Sequence, residues 1–262
     1  QILPSPNFII KNVEILDDRS NSLNTFASIK ILKIFISQKS LFNKEKIKIN
    51  KILISEANFL IDDNNFHFFS KFLNKIFSNK KVIIKKSNLF FKNESRETLL
   101  INKIKKLVLY FDKKYLLNTI KLNGEVFNIP YNLKFTKDLV HKKNTTVVKL
   151  NKIKINYENQ SIRKNKSLEG VNIISSLSSK LRTKYKIENE TLSFQSFNSK
   201  LPNNNINYKG KLNLDPFDLT INIDLEKINL KKLLDTNSIL FSFIKSGLLF
   251  NNNISSNIYL NS

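Results

Sequence analysis

The sequence predicts a mostly β protein: a long twisted antiparallel meander that forms an open groove, with two or more amphipathic α-helices. Apolar residues fall at every second position in many runs, including residues 29–36, 47–54 and 99–111. Because side chains alternate between the two faces of a strand, each run indicates a strand with one apolar and one polar face. Asn, Asp and Ser clusters separate the runs and indicate turns, which favours a meander over β–α–β units.

The hairpin at residues 206–225 shows this alternation most clearly, with a turn at residues 215–218 between its two apolar runs. An apolar face of this kind must be covered by protein or by a ligand. The runs around Ile29 and Ile153 have the same pattern. We therefore predict one continuing apolar wall, against which either a protein core or a bound lipid would pack, with eleven candidate side chains: Ile29, Ile31, Ile153, Ile155, Ile206, Leu212, Leu214, Leu219, Ile221, Ile223 and Leu225.

Two segments have helical spacing instead. The sequence DDNN at residues 62–65 offers N-cap groups to a helix predicted over residues 66–78. Its apolar face would carry Phe66, Phe69, Phe72, Leu73, Ile76 and Phe77. A second helix is predicted near residues 229–244. We expect two segments, residues 1–135 with the first helix and residues 136–262 with the second, in which the sheet continues.

The charge of the chain permits two interpretations. The formal net charge is +23, which is typical of a protein that binds nucleic acid or an anionic membrane surface. Only four of the 44 basic residues are arginines, although arginine is the preferred side chain for contacting bases and phosphates. The lysines are also spread along the whole chain. Bias of an AT-rich genome toward lysine, asparagine and isoleucine therefore accounts better for the charge, and no nucleic-acid partner is expected.

No catalytic or metal-binding pattern is recognisable. Cysteine is absent, which excludes thiolate chemistry, and the glycines are isolated, so no phosphate-binding loop is present. Of the two histidines, His67 lies among phenylalanines and His141 lies in a charged loop. Acidic pairs occur at turns, where Asp is expected for local hydrogen bonds. We predict a protein that is not an enzyme and carries no cofactor or metal.

The order of several elements resembles the AsmA-like family of bacterial envelope proteins. The similarity rests on residues 6–15 (PNFIIKNVEI) and 27–42 (ASIKILKIFISQKSLF), then residues 47–59 (IKINKILISEANF), a helical insert and residues 81–91 (KVIIKKSNLFF). It ends at residues 123–131 (NGEVFNIPY), in which Gly124 interrupts an alternating run and indicates a bulge or close backbone approach. The resemblance is strongest over about the first 135 residues.

This resemblance implies a periplasmic protein that is anchored to the inner membrane of a Gram-negative-type bacterium. Its groove would bind phospholipid acyl chains and support lipid transfer between the inner and outer membranes, without catalytic residues. Methionine is absent even at position 1, so we expect a segment of a longer protein, with the membrane anchor upstream. Two alternatives remain open: a basic protein that binds nucleic acid or an anionic surface, and a structural β scaffold with a closed core.

Overall fold

The computed structural model describes residues 6–17, 24–38, 47–93, 95, 97–202, 205–214, 217–225 and 255–261. Their strands form one long, mixed, largely antiparallel sheet in which neighbouring strands follow chain order, and a two-residue strand pairs beside this path. The prediction of a mostly β meander is confirmed at this level. The chain divides into two compact units, Gln1–His141 with Thr146–Ile153, and Lys142–Thr145 with Lys154–Ser262.

The first unit contains seven described strands and a helix that links two of them. Each strand is antiparallel to the next except for one parallel pair. The elements are β1 (Asn7–Asp17), β2 (Asn24–Ile36), β3 (Ile49–Ile61), α1 (Asp63–Asn74), β4 (Lys81–Lys92), β5 (Thr98–Asp112), β6 (Leu117–Val126) and β7 (Ile129–Asp138). The residues of β8 (Lys143–Leu150) are shared between the two units.

The second unit is built from the remaining described strands, most of which are joined by tight turns. The elements are β9 (Ile155–Lys164), β10 (Ser167–Ser176), β11 (Ser179–Glu188), β12 (Thr191–Ser196), β13 (Ser199–Lys200), β14 (Asn205–Leu214), β15 (Phe217–Leu225) and β16 (Ser255–Asn261). The last two pair in parallel, and the other described pairs are antiparallel. The second predicted helix, near residues 229–244, lies outside the described residues.

Strands β3 and β4 are parallel, which differs from the purely antiparallel meander predicted from the sequence. Two-residue turns can join only antiparallel strands, so a parallel pair needs a crossover connection. Helix α1 provides it, because it lies between β3 and β4 in the chain. The single described helix therefore has a topological role that the sequence pattern did not indicate.

Helix α1 begins and ends earlier than the predicted span of residues 66–78. Asp62 accepts a hydrogen bond from the backbone N–H of Asn65, and the Asn65 side chain accepts one from the backbone N–H of Asp62. This reciprocal cap fixes the start of the helix. Lys75 has an extended backbone and ends it, so Ile76 and Phe77 are outside the helix. Phe66, which the spacing places on the apolar face of the helix, is 62% exposed.

A row of distorted positions crosses the first five strands. Asn12, Glu56 and Lys86 adopt the left-handed backbone in the middle of β1, β3 and β4, with φ of 54°, 57° and 49°. The register places them in line with Lys30 of β2 and with Lys105 of β5. Lys105 has no partner on β6, because Ile104 and Lys106 pair with the consecutive residues Gly124 and Asn123. An ion pair of 2.7 Å joins Lys30 to Glu56. The row is a series of bulge-like kinks at one level of the sheet.

At this row, the residues that face the cavity change from even to odd numbers, or from odd to even, along the same strand. In β4, Ile84 and Leu89 lie five residues apart and yet line the same cavity, and in β5 Ile104 and Leu107 do so three residues apart. In an uninterrupted strand, odd spacings place side chains on opposite faces. The strict period-two interpretation of these strands is therefore wrong wherever it crosses the row.

Each of the three described glycines lies opposite an aromatic residue in its neighbouring strand: Gly124 opposite Tyr131, Gly170 opposite Tyr185, and Gly210 opposite Phe194. A Cβ at Gly124 would lie 2.9 Å from the Tyr131 ring, so the aromatic side chain occupies the space above the glycine. The predicted close approach at Gly124 is confirmed.

The substitution Gly170→Ala is expected to destabilise the protein more than Gly124→Ala. The new Cβ at residue 170 would lie 2.7 Å from the Gln160 carbonyl oxygen, which is backbone and cannot rotate away. At residue 124 its nearest neighbours are side-chain atoms of Tyr131 and Asn102. We expect a loss of about 1–3 kcal/mol for Gly170→Ala and a smaller loss for Gly124→Ala, measured by urea denaturation. Equal losses would contradict this account of the two glycines.

Candidate functional site: an apolar cavity beneath helix α1

The first unit contains a cavity of about 570 Å³ between helix α1 and the sheet. Every described residue that lines it is apolar: Ile15, Leu16, Phe26, Phe59, Ile61, Phe69, Phe72, Leu73, Val82, Ile84, Leu89, Ile104, Leu107, Leu109 and Ile120. Sites for small ligands are typically 300–1,000 Å³ in volume and mainly apolar. The size and lining of this cavity suit an apolar ligand such as an acyl chain.

The floor of the cavity is the apolar face of the central strands. Ile84, Ile104 and Leu122 form a buried cluster on β4, β5 and β6, against which Leu107 and other half-buried side chains pack. The register places Ile84 beside Leu107, and Leu107 beside Leu122, so these side chains share one face. The alternation of β-branched and leucine side chains in these strands produces this floor.

The roof of the cavity is the apolar face of α1. Phe69 stacks on Phe26 of β2, with ring centroids 5.0 Å apart. Phe72 stacks on Phe77, which follows the helix and is buried, with centroids 5.2 Å apart. Offset aromatic pairs at this distance are favourable beyond the area that they bury. The Phe26–Phe69 pair thus joins the helix to the sheet, and the Phe72–Phe77 pair joins the helix to the segment that follows it.

Asn118 anchors the segment that follows α1. The side chain lies on β6 and is 0% exposed. Its Oδ1 accepts a hydrogen bond of 2.9 Å from the Phe77 backbone N–H, and its Nδ2 donates one of 2.7 Å to the Lys75 carbonyl. A fully buried amide is stable only when its polar groups are paired. One side chain therefore fixes the end of the roof to the floor.

One side of the cavity reaches solvent. Four lining side chains, Ile15 and Leu16 on β1 and Phe72 and Leu73 on α1, are each 37–44% exposed. Large apolar side chains at this exposure form an opening with an apolar rim. A sealed protein core would bury them, and such a grouped apolar rim is typical of a binding site.

Of the eleven predicted wall residues, only Ile29 and Ile31 lie in the described strands of the first unit. Ile29 is buried and pairs with Ala57, which precedes the cavity residue Phe59 by two positions and shares its face. Ile31 pairs with Ser55. Because the distorted row passes through Lys30 between them, Ile29 and Ile31 lie on opposite faces. Neither residue lines the cavity.

In the second unit, the register places eight of the predicted residues on one face of the sheet, which we call the 155–225 face. The strand pairs align these positions, and residues between them point to the other side. The eight residues are Ile155, Ile206, Leu212, Leu214, Leu219, Ile221, Ile223 and Leu225. Ile153 is different: it lies in a short 3₁₀ turn, Asn151–Ile153, so its predicted strand position beside Ile155 is wrong.

The 155–225 face is not uniformly apolar. One row across the strands consists of Leu168, Ile187, Leu192, Leu212 and Leu219. A nearby row is polar and consists of Asn159, Asn172, Thr183 and Ser196. Asn159 donates to the Tyr185 hydroxyl at 2.7 Å, and Tyr157 donates to Asn172 at 2.9 Å. Burial raises the pKa of the Tyr157 phenol, and the charge of Tyr185 adds to the rise. This polar row interrupts the apolar face on β9, β10, β11 and β12.

None of the described titratable side chains of the first unit lines the cavity. His141 is on the surface, where its Nδ1 lies 2.8 Å from an Asp138 carboxylate oxygen. Hydrogen bonds from His141, first from its backbone and then from its side chain, hold the pKa of Asp138 below its ordinary value. Across the described ranges, no three His, Asp or Glu side chains come together as a metal site would require. The side chain of His67 lies outside the described part of the chain.

No protein-family model matches the chain, and no curated protein matches it significantly. Within the described ranges, no helix combines the length and apolar character that a membrane crossing requires. The fold and the site define a β-sheet protein with an apolar cavity beneath a crossover helix.

Sequence reasoning missed the cavity, although two signals for it were present. The helix has phenylalanines at residues 66, 69 and 72, and strands β4 and β5 each have an apolar pattern that changes phase. When the apolar residues of neighbouring strands switch between odd and even positions at the same level, the switch indicates aligned bulges. The apolar side chains before and after such bulges lie on the same face. Combining the helix with that face would have predicted a site between them.

Proposed function

We propose that this protein is a non-enzymatic lipid-binding module, in which the cavity beneath α1 holds an acyl chain. The observation that carries the proposal is the cavity itself, with an entirely apolar described lining and an apolar rim that reaches solvent. A packed core would close such a space, because protein interiors leave few voids larger than a water molecule. An acyl chain is flexible and apolar, and it can enter from the rim while its polar head stays in water.

Burial of an acyl chain in the cavity gives moderate, reversible binding. Each methylene transferred from water contributes about 0.8 kcal/mol, so burial of about ten methylenes contributes about 8 kcal/mol before ordering costs. An interaction free energy of this size corresponds to a dissociation constant of about 1 μM. Ordering the chain lowers the affinity further. Such a ligand exchanges between the protein and a membrane, as a carrier requires.

The resemblance to the AsmA-like family supports a more specific role. In that role the protein is periplasmic and anchored in the inner membrane through a preceding segment, and it carries phospholipid between the inner and outer membranes along an apolar groove. The segments that carry the resemblance include β3 and β4, which contribute to the cavity floor. The eight residues on the 155–225 face are the candidates for a continuation of lipid contact in the second unit.

The proposal predicts that phospholipid co-purifies with the protein. Purification from bacteria without detergent, followed by native mass spectrometry, is expected to show a population heavier than the chain by the mass of one phospholipid. Collisional release should identify that lipid. Folded protein that carries no lipid, and that takes up none from phosphatidylethanolamine and phosphatidylglycerol vesicles, would contradict the proposal and favour a structural scaffold.

A further inference from the structure

The second unit has a concave surface on the side opposite the 155–225 face. It encloses about 970 Å³ and is lined by six lysines and by two carboxylates, Glu169 and Asp218. The lysines are Lys143, Lys164, Lys184, Lys186, Lys209 and Lys211. The lysines of β9, β11 and β14 alternate with the residues of the 155–225 face, so they lie on the other face of the sheet.

Four of these lysines form a rectangle around strand β12. The register aligns Lys184 with Gln195 and Lys209 in one row, and aligns Lys186 with Ser193 and Lys211 in the next row. Each row thus has a lysine on β11 and on β14, with a neutral polar side chain between them. From the dimensions of a β-sheet, the lysines of one row are about 10 Å apart and the two rows are about 7 Å apart.

Part of this positive charge is not neutralised by neighbouring carboxylates. An ion pair of 2.8 Å joins Lys164 to Glu169 and holds the pKa of that carboxyl below its ordinary value. Another of 2.6 Å joins Lys186 to Glu188. Among the described residues, Lys209 and Lys211 have no ion pair, and Lys184 contacts only the Phe197 ring, at 5.0 Å. The concave surface therefore retains several ammonium groups that an anion can contact.

We infer that the lysine rectangle is a binding site for a ligand with two phosphate groups. One phosphate would lie over each row, between the two ammonium groups and next to the Gln195 amide or the Ser193 hydroxyl. Ammonium groups bind phosphate oxygens through charge-assisted hydrogen bonds. Such phosphates can belong to a lipid headgroup or to a soluble polyphosphate, and both present the same chemistry to this surface.

The surface fits isolated phosphates better than it fits a single nucleic-acid strand. Proteins that hold single strands combine a positive groove with aromatic side chains on which the bases stack. Here the aromatic residues of the same strands, Tyr185 and Phe194, align with Gly170 and Gly210 on the opposite face. Both residues are at the edge of the concave surface, but their rings lie over the two glycines, and the side chains of the four lysines, Gln195 and Ser193 offer charge and hydrogen bonds.

The test compares two double variants that remove the same charge. Lys184→Gln with Lys209→Gln removes both positive charges from one row of the rectangle. Lys180→Gln with Lys200→Gln is the control, because these two lysines pair on the same unit but do not line the concave surface. The affinity of the full chain for tripolyphosphate is measured by calorimetry at 0.1 M salt, and its affinity for cardiolipin vesicles by co-sedimentation. Circular dichroism confirms that each variant is folded.

We expect wild type to bind at least one of the two probes, the Lys184/Lys209 variant to bind that probe at least tenfold more weakly, and the control to change by less than twofold. A loss for cardiolipin alone identifies a lipid headgroup, and a loss for tripolyphosphate alone identifies a soluble ligand. Equal losses in both variants, or no binding by wild type, would overturn the inference. Tighter binding of a 20-nucleotide single strand, lost only in the Lys184/Lys209 variant, would overturn it in favour of nucleic acid.

Discussion

The double substitution Leu107→Trp with Leu109→Trp should weaken lipid binding about 100-fold. Both leucines lie on β5 and line the cavity beneath α1. Each added ring occupies the space of about two methylenes of an acyl chain, and each methylene contributes about 0.8 kcal/mol to binding. The loss is therefore about 3 kcal/mol, which corresponds to a factor of about 100 in the dissociation constant. Displacement of a fluorescent fatty acid measures this change.

The matched control is Val108→Trp with Tyr110→Trp. These residues alternate with the two leucines on the same strand and do not line the cavity. The control adds bulk to the same strand, so it reports any general effect on the sheet. Binding by the control should stay within threefold of wild type. If the two double variants bind lipid equally well, the cavity is not the lipid site.

The substitution Asn118→Leu should destabilise the protein by about 2–6 kcal/mol. Leucine has nearly the shape of asparagine but cannot pair with the Phe77 N–H or with the Lys75 carbonyl. Each buried group that loses its partner costs about 1–3 kcal/mol. The midpoint of urea denaturation measures the change. Because the same side chain holds the end of the roof, fatty-acid binding should weaken as well.

Asn123→Leu provides the control on the same strand, because Asn123 is exposed. A surface substitution of this kind changes stability by less than about 0.5 kcal/mol. If Asn118→Leu remains within 1 kcal/mol of wild type, the segment after α1 does not depend on this anchor. If it is destabilised but binds fatty acid normally, the roof does not depend on the anchor for its position.

The sequence was sufficient to predict a mostly β meander because strand periodicity is a local property. On the 155–225 face the alternation continues without interruption through β14 and β15, and the predicted hairpin is present with Ile221 opposite Gly210. Two-residue turns at Phe127 and Asn128, and at Asn189 and Glu190, keep neighbouring strands in simple register. Each of these features depends on residues that are close in the chain.

The failed predictions of which face a strand residue occupies depended on alignment between strands. Neither Glu56 nor Lys86 is a residue type that usually adopts positive φ, so nothing in its own strand indicates the kink. The kinks become favourable together, because each strand follows the distortion of its neighbour and because Lys30 and Glu56 pair across it. Ile29 and Ile31 are two residues apart and would share a face in a regular strand. The distorted row between them places them on opposite faces.

The candidate site was only partly predictable for the same reason. The predicted phenylalanine face of the helix contributes Phe69 and Phe72 to the cavity, but the floor is formed by strands that come together only in the fold. The polar row on the 155–225 face also arises across strands, since Asn159, Asn172 and Thr183 are distant in sequence. In each single strand these residues have the pattern of an ordinary alternating run.

Site-specific photocrosslinking tests the central claim most directly. A photoreactive phenylalanine analogue is placed at Leu107 in one protein and at Val108 in another, and each is irradiated after purification from bacteria. We predict that the Leu107 protein gains the mass of a phospholipid and the Val108 protein does not. Equal labelling at both positions, or no labelling at Leu107 in folded protein, would contradict a lipid site beneath α1.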